Sequence, residues 1–137
     1  MKGYLLDTSA ILTLRDDEPG ADRVAELLEQ TRQGSARCLG CFITLMEVFY
    51  RVWRDEGESA GRLAYEQCLA LPIVWVHESP GLLKRAAALK AGHPLSLADA
   101  WIAAAALEQG AVLIHKDPEF RAVGVAQEEL PLRAKKS

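Results

Sequence analysis

Short, wholly apolar runs alternate with longer stretches of helical periodicity along the chain, and this alternation restricts the fold more than any other feature. Residues 4–6, 73–76 and 111–114 show no in/out polarity, so each reads as a strand covered on both faces. Residues 37–43 read as a fourth strand. Helices are predicted from near Ser9 to a break at 16–19, and over about 21–33, 45–56, 60–70, 82–90 and 97–109. Val24, Leu27 and Leu28 mark the apolar stripe of the second, and Gly34, Gly92 and Gly110 close three of them. A short helical turn follows Asp117-Pro118; no element is assigned beyond it. Strands alternating with helices predict an α/β domain with a central parallel sheet between helical layers. In such sheets ligands bind beyond the carboxyl ends of the strands.

The 137 residues fit one domain, expected over residues 1–130 with a short basic tail at 131–137. No apolar run approaches the roughly 20 residues of a membrane span. The first seven residues hold no signal-peptide core, and the three cysteines form an odd set. Reduced thiols and a cytoplasmic location are expected. The net charge of −3 is unusual for a nucleic-acid binder. It is compatible with that role if the acids gather where a divalent cation neutralises them.

Four acids stand where an α/β site would form. Asp7 follows the first strand, Glu47 follows the second, Asp99 opens a helix and Asp117 follows the strand at 111–114. Each has an ordinary structural explanation. Thr44-Leu45-Met46-Glu47 and Ser96-Leu97-Ala98-Asp99 fit the capping box. Asp117 before Pro118 fits an N-cap, Asp7 can cap the first helix, and Glu47 can pair with Arg51 one turn on. Brought into one pocket, however, the four would repel and raise one another's pKa. Such a cluster calls for a cation, and an oxygen-only ligand set suits Mg²⁺ or Mn²⁺ better than zinc. Asp99, Ala103, Ala106 and Gly110 leave one face of their helix almost bare, for close approach of another backbone or simply for tight packing on the sheet.

In the segments Leu5-Leu6-Asp7-Thr8-Ser9-Ala10, Thr44-Leu45-Met46-Glu47-Val48, Leu95-Ser96-Leu97-Ala98-Asp99-Ala100 and Leu113-Ile114-His115-Lys116-Asp117-Pro118-Glu119-Phe120, the chain resembles the PIN-domain family, in particular its VapC-like toxins. Each segment is weak alone; together, in this order, they span residues 5–120. The resemblance implies a three-layer α/β/α domain and a Mg²⁺-dependent endoribonuclease, with Mn²⁺ as a possible substitute. It implies metal ligation by Asp7, Asp99 and Asp117, with Glu47 acting through bound water or a second metal. It also implies RNA as substrate, a cognate antitoxin as partner, and a homodimer. Thr8, Ser9 and Ser96 would lie near the site. The chain departs from many relatives at His115, where a small hydroxyl or amide residue is common. That histidine could bind phosphate, move a proton or fill space.

Arg15, Arg51, Arg54 and Lys116 are candidates for holding an RNA backbone, Arg15 and Lys116 foremost. For each, the ordinary explanation is a solvated surface charge. Cys38 and Cys41 resemble half a zinc site, but a strand sends residues three apart to opposite faces, so buried free thiols are expected. Met46, Phe49, Tyr50 and Trp53 give one helix two apolar faces, one for the sheet and one for core, a second copy or an antitoxin helix. A non-cleaving PIN-like module is the alternative in another class. A haloacid-dehalogenase-type phosphatase would want a second aspartate where Ser9 stands.

Overall fold

The computed structural model describes residues 1–132. Its elements run β1 (Gly3–Leu6), α1 (Thr8–Arg15), α2 (Ala21–Arg32), β2 (Arg37–Cys41), α3 (Phe42–Glu56), α4 (Glu58–Ala70), β3 (Ile73–Val76), α5 (Pro80–Gly92), α6 (Leu97–Gln109), β4 (Val112–His115), a 3₁₀ turn (Pro118–Ala122) and β5 (Gln127–Glu129). The expected tail at 131–137 lies, from residue 133, outside the described residues. All five strands pair in parallel, in the order β3-β2-β1-β4-β5. This is the parallel α/β/α sandwich that the apolar strands require.

Alternation along the strands divides the core in two. Leu5, Leu39, Cys41 and Leu113 face α5 and α6, where they meet Leu82, Ile102 and the alanines of α6. Tyr4, Leu6, Cys38 and Ile114 face the other layer and meet Val24, Leu27, Val48 and Val52. Cys38 and Cys41 are thus buried free thiols in separate layers, and the half zinc site is ruled out. The bare face of α6 is resolved as well. Ala100 and Ala103–Ala106 are buried, which lets the helix backbone lie close on the sheet.

The sequence reading differs from the structure chiefly at two boundaries and in one strand it did not assign. β2 ends at Cys41 and α3 begins at once, because Phe42 and Ile43 are helix residues packed on the core, Phe42 edge-on to Trp101 at 5.2 Å. Ser79 caps α5 by accepting the Leu82 N–H, so that helix starts at Pro80. β5 has no apolar signature at all. It is held by polar pairs: Gln127 to His115, Glu128 to Arg23 and Glu129 to Arg121. Where α4 folds back on α3 the backbones nearly touch. A Cβ on Gly61 would lie 2.7 Å from the Phe49 carbonyl oxygen and 2.8 Å from Trp53 Cβ.

Candidate metal centre

The strand order reverses beside β1. The chain builds outward through β2 and β3, then returns to place β4 on the other flank of β1. A crevice opens beyond the carboxyl ends at such a reversal. Leu6 pairs with Ile114 there. Asp7 leaves β1 and Asp117 follows β4 within two residues, so the topology alone brings these two acids together.

Asp7 is buried and caps α1, its Oδ1 accepting the Ala10 N–H at 2.8 Å. The Ser9 hydroxyl lies 2.7 and 2.9 Å from its two oxygens and accepts the Lys116 N–H at 2.9 Å. Ser9 therefore ties the ends of β1 and β4. Burial pushes the Asp7 carboxyl up to about 7; the bonds from Ser9 and Ala10 oppose this, and the charges of Asp117 and Glu47 add to it.

Asp99 lies in the first turn of α6, where its N–H donates to Ser96 Oγ at 3.1 Å. Its carboxyl is raised by burial, by a hydrogen bond with Asp117, and by the charges of Asp117, Asp7 and Glu47. Asp117 caps the 3₁₀ turn through the Glu119 N–H at 2.9 Å. Glu47 is buried on α3 and accepts the Thr8 hydroxyl at 2.6 Å, while Arg51 donates to its other oxygen at 3.2 Å. Thr8 also lies 3.0 Å from the Thr44 hydroxyl.

Capping and clustering are therefore not rivals. Asp7 and Asp117 do both. Glu47 is no cap: α3 begins behind Cys41 without a side-chain cap, and Glu47 falls in its second turn. One acid escaped the sequence reading. Asp99, Asp117 and Glu119 offer carboxylate oxygens within 4.8 Å of one another. The signal was the run Asp117-Pro118-Glu119, in which proline starts a turn and keeps acids two apart at its head. Such oxygen donors suit a hard divalent cation, and carboxyls raised by mutual charge are those a cation would relieve.

The other candidates are less free. Arg15 is engaged by Glu56 and Asp16, Arg51 by Glu47, Arg54 by Asp55, and Lys116 Nζ lies 3.7 Å from Glu18. His115 is fully buried, its Nδ1 accepting the Asp117 N–H at 3.0 Å and its Nε2 meeting Gln127 Oε1 at 2.8 Å. Both ring nitrogens are occupied, so the phosphate-binding reading has no free donor there.

The chain matches the PIN domain family model over residues 4–126. It belongs to the PIN domain family. Solved structures agree in fold. VapBC2 from Rickettsia felis, bound to a DNA fragment from its promoter, has a TM-score of 0.76 at 17% identity over 94% of this chain and 99% of that one. VapBC-1 from nontypeable Haemophilus influenzae has a TM-score of 0.70 at 26% identity, covering 93% and 97%. Mycobacterium tuberculosis VapC20, a sarcin–ricin loop cleaving toxin, has 0.71 at 20% identity, covering 93% and 99%. No curated protein matches the chain. Among the described residues no helix is long and apolar enough to cross a membrane. The PIN fold and its acidic cluster support a metal-dependent nuclease.

Proposed function

We propose that this PIN domain is a Mg²⁺-dependent endoribonuclease and the toxin of a toxin–antitoxin pair. The observation that carries this is the convergence of Asp7, Glu47, Asp99 and Asp117 at the reversal between β1 and β4, where burial and then the neighbouring acids push the Asp7 and Asp99 carboxyls up. Structures of the same fold described as toxin–antitoxin systems support the biological half of the reading, and VapC20's stated activity makes structured RNA the substrate class to test.

Asp99 and Asp117 would hold the cation, with Asp7 behind them and Glu119 closing the open side. A bound divalent cation supplies an acidified water and offsets charge on phosphoryl oxygens. Glu47, held by Thr8 and Arg51, would orient such a water or complete a second cation site. Ser9 keeps Asp7 aimed while Lys116 is carried on the same β4 end. Ser96 contributes by fixing the first turn of α6. No side-chain nucleophile is needed. The exposed row Met46, Tyr50 and Trp53 on α3 is the face we assign to protein contact, with an antitoxin segment or a second copy, in a cytoplasmic complex. We take residues 1–130 as one nuclease unit.

The test is incubation of the purified chain with tRNA and a sarcin–ricin loop RNA in Mg²⁺, Mn²⁺ or EDTA, beside Asp7→Asn. Metal-dependent cleavage lost in the variant supports the reading. Metal binding without cleavage of any RNA would instead favour a non-cleaving module, and equal cleavage by the variant would place the activity elsewhere.

A further inference from the structure

We propose that His115 and Gln127 are a positioning pair that fixes the backbone of the Asp117 turn through a single imidazole tautomer, and thereby sets how tightly the acidic cluster takes a divalent cation. The inference rests on the metal-site reading above and adds to it two residues that touch no cation themselves.

An amide N–H can donate only to a lone pair. Because the Asp117 N–H points at His115 Nδ1 at 3.0 Å, that nitrogen carries no proton and the ring proton sits on Nε2. Nε2 in turn donates to Gln127 Oε1 at 2.8 Å. The Gln127 carboxamide cannot turn over, because its Nε2 donates to the Phe120 carbonyl at 2.8 Å and the Val123 carbonyl at 3.2 Å. Phe120 belongs to the 3₁₀ turn that Asp117 caps, and its ring lies 4.9 Å from the imidazole centroid.

The bonds thus form a closed circuit: Asp117 N–H to His115, His115 to Gln127, and Gln127 back to the far end of the same turn. That turn presents both Asp117 and Glu119. Its head and tail are held by one histidine–glutamine pair, the histidine fully buried and the glutamine half-buried. The pair also explains why so polar a strand as β5 adds to the sheet: Gln127 is delivered there by its register opposite Leu113. Partners standing one step behind a metal ligand commonly change affinity by about 10–100-fold when lost.

The experiment uses the intact chain with Mn²⁺ as the calorimetric probe, and compares His115→Asn, His115→Gln and Gln127→Leu with the parent. Asparagine restores an acceptor close to the place of Nδ1, whereas glutamine restores one only near Nε2. His115→Asn is expected to bind Mn²⁺ within about threefold of the parent, while His115→Gln and Gln127→Leu weaken it by about tenfold or more. Cleavage by the weakened variants should recover at high metal. Long-range ¹H–¹⁵N spectra of the metal-free parent should show an imidazole protonated at Nε2 alone. Unchanged Mn²⁺ affinity in all three variants, with only their melting temperatures lowered, would reduce the pair to ordinary packing. A ring protonated at Nδ1, or an asparagine variant as impaired as the glutamine one, would overturn the proposal. A parent that binds no Mn²⁺ removes the metal-site reading and this inference with it, whereas a binding parent with indifferent variants removes the inference alone.

Discussion

Replacing Asp7 with asparagine should make the metal-free protein more stable at alkaline pH while disabling it. The Asp7 carboxyl is buried and its pKa is raised from 3.8 to about 7, whereas in the unfolded chain it titrates near 3.9. A raised acid binds its proton more tightly when folded. Its burden on stability is therefore near zero below about pH 4, grows as pH rises, and is complete above about pH 7. At about 1.4 kcal/mol per pH unit, the full burden is about 4 kcal/mol. Asparagine carries no charge but can satisfy only part of the Ser9 and Ala10 contacts, and an imperfect bond there costs about 1–2 kcal/mol. The net gain is about 2–3 kcal/mol at pH 8, and little or none at pH 5. Urea unfolding of both proteins in EDTA at the two pH values measures it directly. A gain equal at both, or no gain at pH 8, would refute the account of Asp7 as a charge held against its environment. Saturating Mg²⁺ should reverse the order at pH 8 if Asp7 belongs to the proposed ligand set, because only the parent then keeps that set whole.

Three further outcomes follow from the same geometry. Mg²⁺ should raise the parent's melting temperature more at pH 8 than at pH 6, since a cation must displace protons held on Asp7 and Asp99; thermal scans across that range check the sign. Asp99→Asn and Asp117→Asn should each lower Mn²⁺ affinity by about tenfold or more in calorimetry while leaving the far-ultraviolet spectrum unchanged. Gly61→Ala should destabilise the chain by about 1–3 kcal/mol, because the added methyl meets the α3 backbone. Urea unfolding would show this, with the metal response unaltered.

The layered fold was legible because apolar strands and amphipathic helices carry opposite periodicities, and those patterns are local. Asp7, Asp99 and Asp117 were legible by position, each at the end of a strand or the head of a helix, whereas Glu47 looked like a strand-end acid only because the strand was read to residue 43; it lies in the second turn of α3. What stayed hidden depends on contacts across the chain. Phe42 and Ile43 look like strand because burial on the sheet and burial in a helix select the same residues. β5 reads as loop because its order comes from Arg23, Arg121 and His115, none of which is its neighbour in sequence. Glu119 was passed over because it becomes a candidate ligand only through its nearness to Asp99, twenty positions earlier. His115 kept several roles open until its partners were known, since a histidine's chemistry is decided by what its two nitrogens meet.

The stitch between Ser9 Oγ and the Lys116 N–H joins residues 107 positions apart. During synthesis β1 is made before the other elements of the domain, with Asp7 at its end, yet the strand that completes the site follows only after nearly the whole domain has been made. Every shorter nascent chain lacks the β4 flank and the acids of the Asp117 turn. A metal site of the kind proposed would thus be complete only when the last strands dock, so its assembly is timed by chain length.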